Sequence, residues 1–171
     1  GGFAGGGINS SKGIIDLMSL TNSNYFIGHE SGVNTTGLYN LFFGFEAGKL
    51  NTGGTHNTFI GYLSGTKNTL GFSNVFIGEE AGVNNIAGNR NVFIGYKAAY
   101  HNVGNGTGFN GTYNVMIGHQ AGFNNISGGG HVILGYNAGM GNTTSNYLTA
   151  IGYYAGNQAS GAYNVFLGGE A

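Results

Sequence analysis

Short apolar segments recur along the chain at a nearly constant spacing, each opened by a polar residue and closed by glycine. The clearest is residues 74–78, which reads Asn-Val-Phe-Ile-Gly. Two further residues separate it from Ala81-Gly82. Most successive segments lie 17 residues apart, and their opening positions are Asn24, Asn40, Asn57, Asn74, Asn91, Asn114, His131, Leu148 and Asn164. Such a period is typical of a repeat protein whose units stack on their neighbours.

A unit of 17 residues is too short for a two-helix repeat or a propeller blade, and its regularly spaced glycines would break a helix. It suits a small β-coil. We expect a strand at 74–78, a turn around 80–82, a return strand at 83–86 and a second turn at 87–89. The sequence therefore predicts an all-β fold, a β-solenoid or β-roll of about 17-residue coils.

Two departures from the period predict loop insertions. One step of 23 residues places about six extra residues within 102–113. The opening GGFAG matches the second half of a unit, which places a longer insertion at about 8–23. We expect a single repeat array over residues 1–171. Because both ends fall inside a unit and neither resembles a polar cap, we also expect a segment of a longer fibre.

Two apolar rows run along the predicted strands, because side chains alternate between the two faces of a strand. One row holds the second and fourth residues of each segment, such as Val75 and Ile77. The other holds the third residue. We expect this second row to be an oligomer interface formed by Phe26, Phe42, Phe59, Phe76, Phe93, Met116, Ile133 and Phe166. Left uncovered, its rings would expose on the order of 450 Å², which is rare on a soluble monomer.

Association of copies about a three-fold fibre axis would cover that stripe, so a homotrimer or filament is expected. The alternative is a coil thick enough to enclose one row by itself. In that case the return strand and rings such as Tyr96, Tyr136 and Tyr153 would cover the other row.

The abundance of glycine and asparagine has a physical explanation in the predicted turns and at the predicted strand starts. The chain has 37 glycines and 24 asparagines, which together exceed a third of its residues. Glycine allows positive φ and close approach of successive coils. Identical asparagine amides on neighbouring rungs can hydrogen-bond in a ladder. We therefore expect the opening asparagines to be structural.

Three units carry a resemblance to known fibres. They read NVFIGEEAGVNNIAGNR, NVFIGYKAAYHN and NVMIGHQAGFNNISGGG. They resemble the Asn-x-x-x-Gly-x-x-Ala-Gly repeats of phage tail-fibre proteins and related bacterial surface fibres, and more distantly the β-roll heads of trimeric autotransporter adhesins. The resemblance covers residues 24–171. It implies homotrimeric, left-handed β-roll shafts or heads, extracellular at a cell or virion surface, that present a binding surface.

The charged and metal-ligating residues argue against several other classes. With 11 formally charged side chains and a net charge of -1, the chain has no basic surface for nucleic acid. No run approaches the roughly 18 apolar residues of a membrane span. There is no cysteine, and His29 and His119 share a repeat position several rungs apart, too far for one zinc ion. We expect no enzyme, no cofactor and no metal site.

The 102–113 insertion is the candidate ligand loop, with Asn105, Phe109, Asn110 and Tyr113 as candidate contacts to a surface glycan or receptor. The sequence thus favours a structural or adhesive fibre segment that gives rigid multivalent display. One alternative is a self-assembling filament or sheath subunit. A second is an ice-binding β-solenoid, which needs a regular row of exposed threonines, whereas Thr58, Thr69 and Thr149 form no continuous row.

Overall fold

A computed structural model describes residues 17–171, which contain β-strands and turns but no helix. The GGFAG half-unit and the first part of the 8–23 insertion lie outside the described residues. Ten short strands follow one another, β1 Met18–Leu20, β2 Asn24–Ile27, β3 Asn40–Phe43, β4 Thr58–Ile60, β5 Val75–Ile77, β6 Val92–Ile94, β7 Val115–Ile117, β8 Val132–Leu134, β9 Thr149–Ile151 and β10 Val165–Leu167.

The ten strands form one sheet in chain order, and β2 to β10 are parallel. Equivalent repeat positions pair directly: Phe59 lies beside Phe76, and Phe76 beside Phe93. Each coil of about 17 residues therefore adds one strand to the same sheet. The predicted β-solenoid is confirmed, because parallel strands in register require the chain to circle once between neighbours.

Positions in a coil are numbered here from its opening residue, so that Asn74 is position 1 and Phe76 is position 3. The second half of the coil is built from turns, and the predicted return strand at 83–86 is wrong. Positions 7 and 9 both adopt left-handed backbone conformations, with φ of 55° at Glu80 and 57° at Gly82. Two such residues so close together reverse the chain instead of extending it.

Inside the coil, the position-3 side chains form one continuous column. The Phe42, Phe59, Phe76 and Phe93 rings stack with centroids 4.7 Å apart and interplanar angles of 5–8°. Small residues face them from the turn, and a Cβ added at Gly82 would lie 2.8 Å from the Phe76 ring. Position 8 is alanine or serine and position 9 is glycine or alanine in the coils from 24 to 156, because the rings fill the space between the two walls.

The first described strand covers the edge of the parallel array. β1 runs antiparallel to β2, with Ser19 beside Phe26, and so occupies the edge hydrogen-bonding groups of β2. Within the described residues, this edge of the parallel array is therefore paired rather than open. The covering strand comes from the end of the 8–23 insertion, which the sequence analysis treated as a loop.

Candidate interaction surfaces

The position-3 row is not an oligomer interface, which corrects the first expectation. Seven of its eight predicted members are buried inside a single chain, and six of them, Phe42, Phe59, Phe76, Phe93, Met116 and Ile133, have no exposed surface. Phe26 is 8% exposed, and Phe166, in the last coil, is partly buried. The coil is thick enough to enclose this row because asparagines and small residues, not a second strand, form its other walls.

Two asparagine rows line the interior beside the aromatic column. In the first, at position 1, each side-chain oxygen accepts the backbone N–H of the next opening residue. The Asn57 N–H donates to Asn40 Oδ1 at 3.0 Å, and the Asn74 N–H donates to Asn57 Oδ1 at 3.0 Å. The predicted ladder is confirmed, although most of its bonds join an amide to backbone rather than two amides.

A second asparagine row, at position 12, was missed by the sequence analysis. Here the amides do bond to one another, with Asn68 Nδ2 donating to Asn51 Oδ1 at 2.8 Å and Asn85 Nδ2 to Asn68 Oδ1 at 2.8 Å. The contact continues through Asn102 and Asn125. The signal was available, because these residues recur at the same 17-residue spacing as the opening asparagines.

His131 replaces asparagine at position 1 of the seventh rung, the one that contains β8, and is fully buried. Its backbone N–H donates to Asn114 Oδ1 at 3.0 Å, and its Nδ1 accepts the Leu148 N–H at 3.0 Å. The ring proton of the neutral imidazole therefore lies on Nε2, which donates to the backbone carbonyl of Ser145. Burial lowers the pKa of His131 from 6.5 to about 4.

The exposed apolar surface of the molecule is the other strand row. We call positions 2 and 4 of β2 to β10 the outer sheet face. Its 18 side chains include no charged residue, and 16 of them are aliphatic or aromatic, Thr58 and Thr149 being the exceptions. Phe43 is 53% exposed, and near the middle of the array Ile117 is 37% exposed. By assigning the position-3 row to an oligomer interface, the sequence analysis implied that the outer sheet face lies on the inside of the coil, but it faces solvent.

An aromatic row runs along the corner next to the outer sheet face, at position 6. Neighbouring rings stack, with centroids 5.1 Å apart for Tyr96 and His119 and 4.7 Å for His119 and Tyr136. Tyr136 in turn stacks on Tyr153 at 5.4 Å. Glu79 interrupts the row, and on either side of it neighbouring rings stack face to face. These tyrosines do not cover the outer sheet face, since Tyr136 and Tyr153 are themselves exposed.

The extra residues of the 102–113 insertion lie in a loop of one coil that packs beside the coils on either side. Asn102 keeps its place in the position-12 row, and the carbonyl of Gly111 accepts its Nδ2 at 3.2 Å, so the extra residues are 105–110. Asn105 Oδ1 accepts the Thr107 hydroxyl at 2.7 Å, and Asn110 Oδ1 accepts the Asn105 N–H at 3.1 Å. These two candidate ligand residues therefore shape the loop.

Phe109 and Tyr113, the other two candidates, are 44% and 46% exposed. Arg90 packs beneath Tyr113, with its guanidinium carbon 5.4 Å from the ring centroid and Nη1 donating to the phenol oxygen at 3.1 Å. The Phe109 ring also contacts Tyr147 edge-on, with centroids 5.0 Å apart. The loop thus presents two half-exposed rings supported by a cation and a third ring.

The ion pairs of the described chain join charged side chains at positions 7 and 10, in the turn that follows each strand. Lys49 pairs with Glu30 and, at 3.1 Å, with Glu46. The Lys49 hydrogen bond lowers the pKa of Glu30, and the Glu30 carboxylate raises the pKa of Lys49. Lys97 lies 3.5 Å from Glu80 on a later rung. These pairs are partly exposed and hold neighbouring rungs together only weakly.

No group of three or more histidines, cysteines, aspartates or glutamates lies close enough to hold a metal ion among residues 17–171. The same part of the chain has no helix of the length and apolarity needed to cross a membrane. Cavities of about 510–540 Å³ lie beside Phe26 and Glu30, beside Tyr154 and Glu170, and beside Tyr25 and His56.

No family model, curated protein or solved structure matches the chain. The arrangement of its rows therefore carries the argument about function.

Proposed function

We propose that the chain is a segment of a structural or adhesive extracellular fibre that gives rigid, multivalent display. The observation that carries the proposal is the stack of nine parallel, in-register rungs, with an uncharged apolar face along its whole length. At about 4.8 Å per rung the stack forms a rod about 40 Å long. Repeated interior hydrogen bonds hold each rung to the next, which suits a stiff support better than a chemical site.

The fibre is proposed to form by self-association, as a homotrimer or as a filament. The exposed outer sheet face supports association, because it is larger and more continuous than the isolated apolar residues found on soluble monomers. A self-assembling filament or sheath subunit is the alternative, and it shares this feature. The two functions differ in whether the rod also presents a ligand-binding loop.

The ligand is proposed to be a surface glycan or receptor, met by the 102–113 insertion. Phe109 and Tyr113 support this because they are half-exposed on the one loop that departs from the repeat within residues 24–171. An array of immobilised glycans probed with the purified chain tests the adhesive role. Binding that Tyr113→Ala abolishes and Tyr163→Ala retains would support it, whereas binding unaffected by Tyr113→Ala would place the ligand elsewhere.

The fibre itself is tested by light scattering of the purified chain, coupled to size-exclusion chromatography, and by negative-stain electron microscopy. The expected result is a mass of three chains, or of larger multiples, and elongated particles. A chain that stays monomeric up to the highest soluble concentration would contradict the fibre role. Immunogold labelling of the source material, expected on the cell or virion surface, tests the location.

A further inference from the structure

We infer that the outer sheet face is the surface through which copies of this chain associate, each copy meeting the same face of its neighbours. This rests on the proposed function, which requires self-association but does not say where it occurs. The position-3 row cannot serve, because it is buried inside the coil. The outer sheet face is the continuous apolar surface that the described chain leaves in contact with water.

The face is close to the smallest size that a specific interface requires. Nine strands at about 4.8 Å give a length of about 40 Å, and two outward residues per strand give a width of about 12 Å. One copy therefore contributes roughly 500 Å², and two contacting faces together about 1,000 Å², near the lower bound for a stable interface. The neighbouring tyrosines at position 6, such as Tyr96, would add to this area at the border.

The regularity of the face favours a second copy over a different partner. In-register pairing sets residues such as Val75, Val92 and Val115 in a straight row, with a parallel row through Ile77 and Ile94. Another copy presents rows of the same spacing, so ridges on one face fit grooves on the other, as in stacked sheets. The face has no charge with which a different partner could be selected.

Lysines placed at the middle of the face test the inference. β6 is the central strand of β2 to β10, so Val92 and Ile94 lie near the centre of the contact whichever way neighbouring rods run. Both side chains are half-exposed, so Val92→Lys with Ile94→Lys should preserve the coil. The matched control is Leu70→Lys, at a residue that is 61% exposed but lies in the turn before β5.

The mass of each variant is measured by light scattering, with circular dichroism to check the strand content. We expect the wild type and Leu70→Lys to assemble and the double-lysine variant to be monomeric with an unchanged spectrum. Assembly of the double-lysine variant at the wild-type mass would overturn the inference and leave the proposed function standing. A monomeric wild type would overturn both.

A milder variant and a cross-link keep the test decisive if the lysines prevent folding. Threonine occurs naturally at position 2, as Thr58 and Thr149, so Val92→Thr is compatible with the coil. Ile94→Thr at position 4 keeps a β-branched residue that favours the strand. We expect the two changes together to raise the concentration for half-dissociation at least tenfold. The chain has no cysteine, so Ile94→Cys should form a disulfide between copies on oxidation, whereas Leu70→Cys should not. The reverse cross-linking pattern would overturn the inference.

Discussion

Asn57 and Asn68 donate to the same backbone oxygen, the carbonyl of Gly71, from Nδ2 atoms at 2.8 Å and 3.0 Å. The two residues belong to one coil, at positions 1 and 12. Their shared acceptor therefore ties the start of the coil to its turn region. The next coil repeats the arrangement, with Asn74 and Asn85 donating to the carbonyl of Gly88. The buried asparagines thus replace the second sheet that a coil with one strand lacks.

Asn85→Ala tests the contribution of the position-12 row to stability. Asn85 bonds to the amides above and below it and to the Gly88 carbonyl. Its loss leaves the buried Asn68 Oδ1 without a partner and takes one of its two acceptors from Asn102 Nδ2, which keeps only the Gly111 carbonyl. We expect the free energy of unfolding, measured by denaturant titration, to fall by about 2–4 kcal/mol.

The control for Asn85→Ala is Asn124→Ala, at a half-buried asparagine that lies outside the position-12 row. Its effect should stay within about 0.5 kcal/mol. Equal losses in the two variants would show that the row adds nothing specific.

Phe76→Ala tests the position of the aromatic column. The ring is fully buried between Phe59 and Phe93, so its removal leaves a cavity, and a loss of about 3–5 kcal/mol in the free energy of unfolding is expected. Ile77→Ala, on the outer sheet face, should lower the free energy of unfolding clearly less in dilute solution.

The double variant Phe76→Ser with Phe93→Ser should unfold the chain. Chains that stay folded but dissociate would instead support the oligomer interface first expected for this row.

Gly78→Ala tests how closely successive coils approach at position 5. Gly78 has a φ of 130°, and an added Cβ would lie 2.6 Å from the carbonyl oxygen of Gly95. Because backbone, not a flexible side chain, blocks the space, a loss of more than about 3 kcal/mol is expected in thermal or denaturant unfolding. Gly108 also has a positive φ, of 56°, but no atom lies within 4 Å of a Cβ added there. Gly108→Ala should therefore lower the free energy of unfolding by only about 1 kcal/mol.

His131 makes stability depend on pH. Burial holds its pKa at about 4 in the folded chain, against a usual 6.5, so the unfolded chain binds the proton first as the pH falls. The stability from His131 is complete above pH 6.5 and declines towards pH 4, with a loss of about 3 kcal/mol. Denaturant titrations at several pH values measure this.

His131→Asn restores the residue found at this position in most other coils and cannot titrate. The difference in unfolding free energy between this variant and the wild type should therefore grow as the pH falls from 6.5 to 4. A constant difference over that range would show that the buried imidazole does not control the acid response.

The repeat period, the strand positions and the 102–113 insertion could be read from the sequence, because each recurs or departs at a fixed spacing. Which strand row is buried could not be read from alternation, since both rows are apolar. The small residues at positions 8 and 9 carried the missing information: Ala81 and Gly82 leave room for the Phe76 ring. Their role becomes visible only once the turn is known to face position 3.

The return strand was predicted because residues 83–86 include apolar side chains, and it is absent because the backbone around them turns. The residue type at position 7 does not predict the turn, because glutamate, leucine, lysine, glutamine, asparagine and tyrosine all adopt a positive φ there. The conformation there is imposed by the stacking of coils, as at other sites where tertiary structure overrides local preference.

Thiol labelling of single-cysteine variants tests most directly the central claim, that one chain encloses its own position-3 row and leaves the outer sheet face for association. The cysteine-free chain allows Met116→Cys on the buried row and Ile117→Cys on the outer sheet face. The account predicts that Met116→Cys resists labelling at every protein concentration, while Ile117→Cys becomes reactive on dilution. Protection of Met116→Cys that is lost on dilution would contradict it.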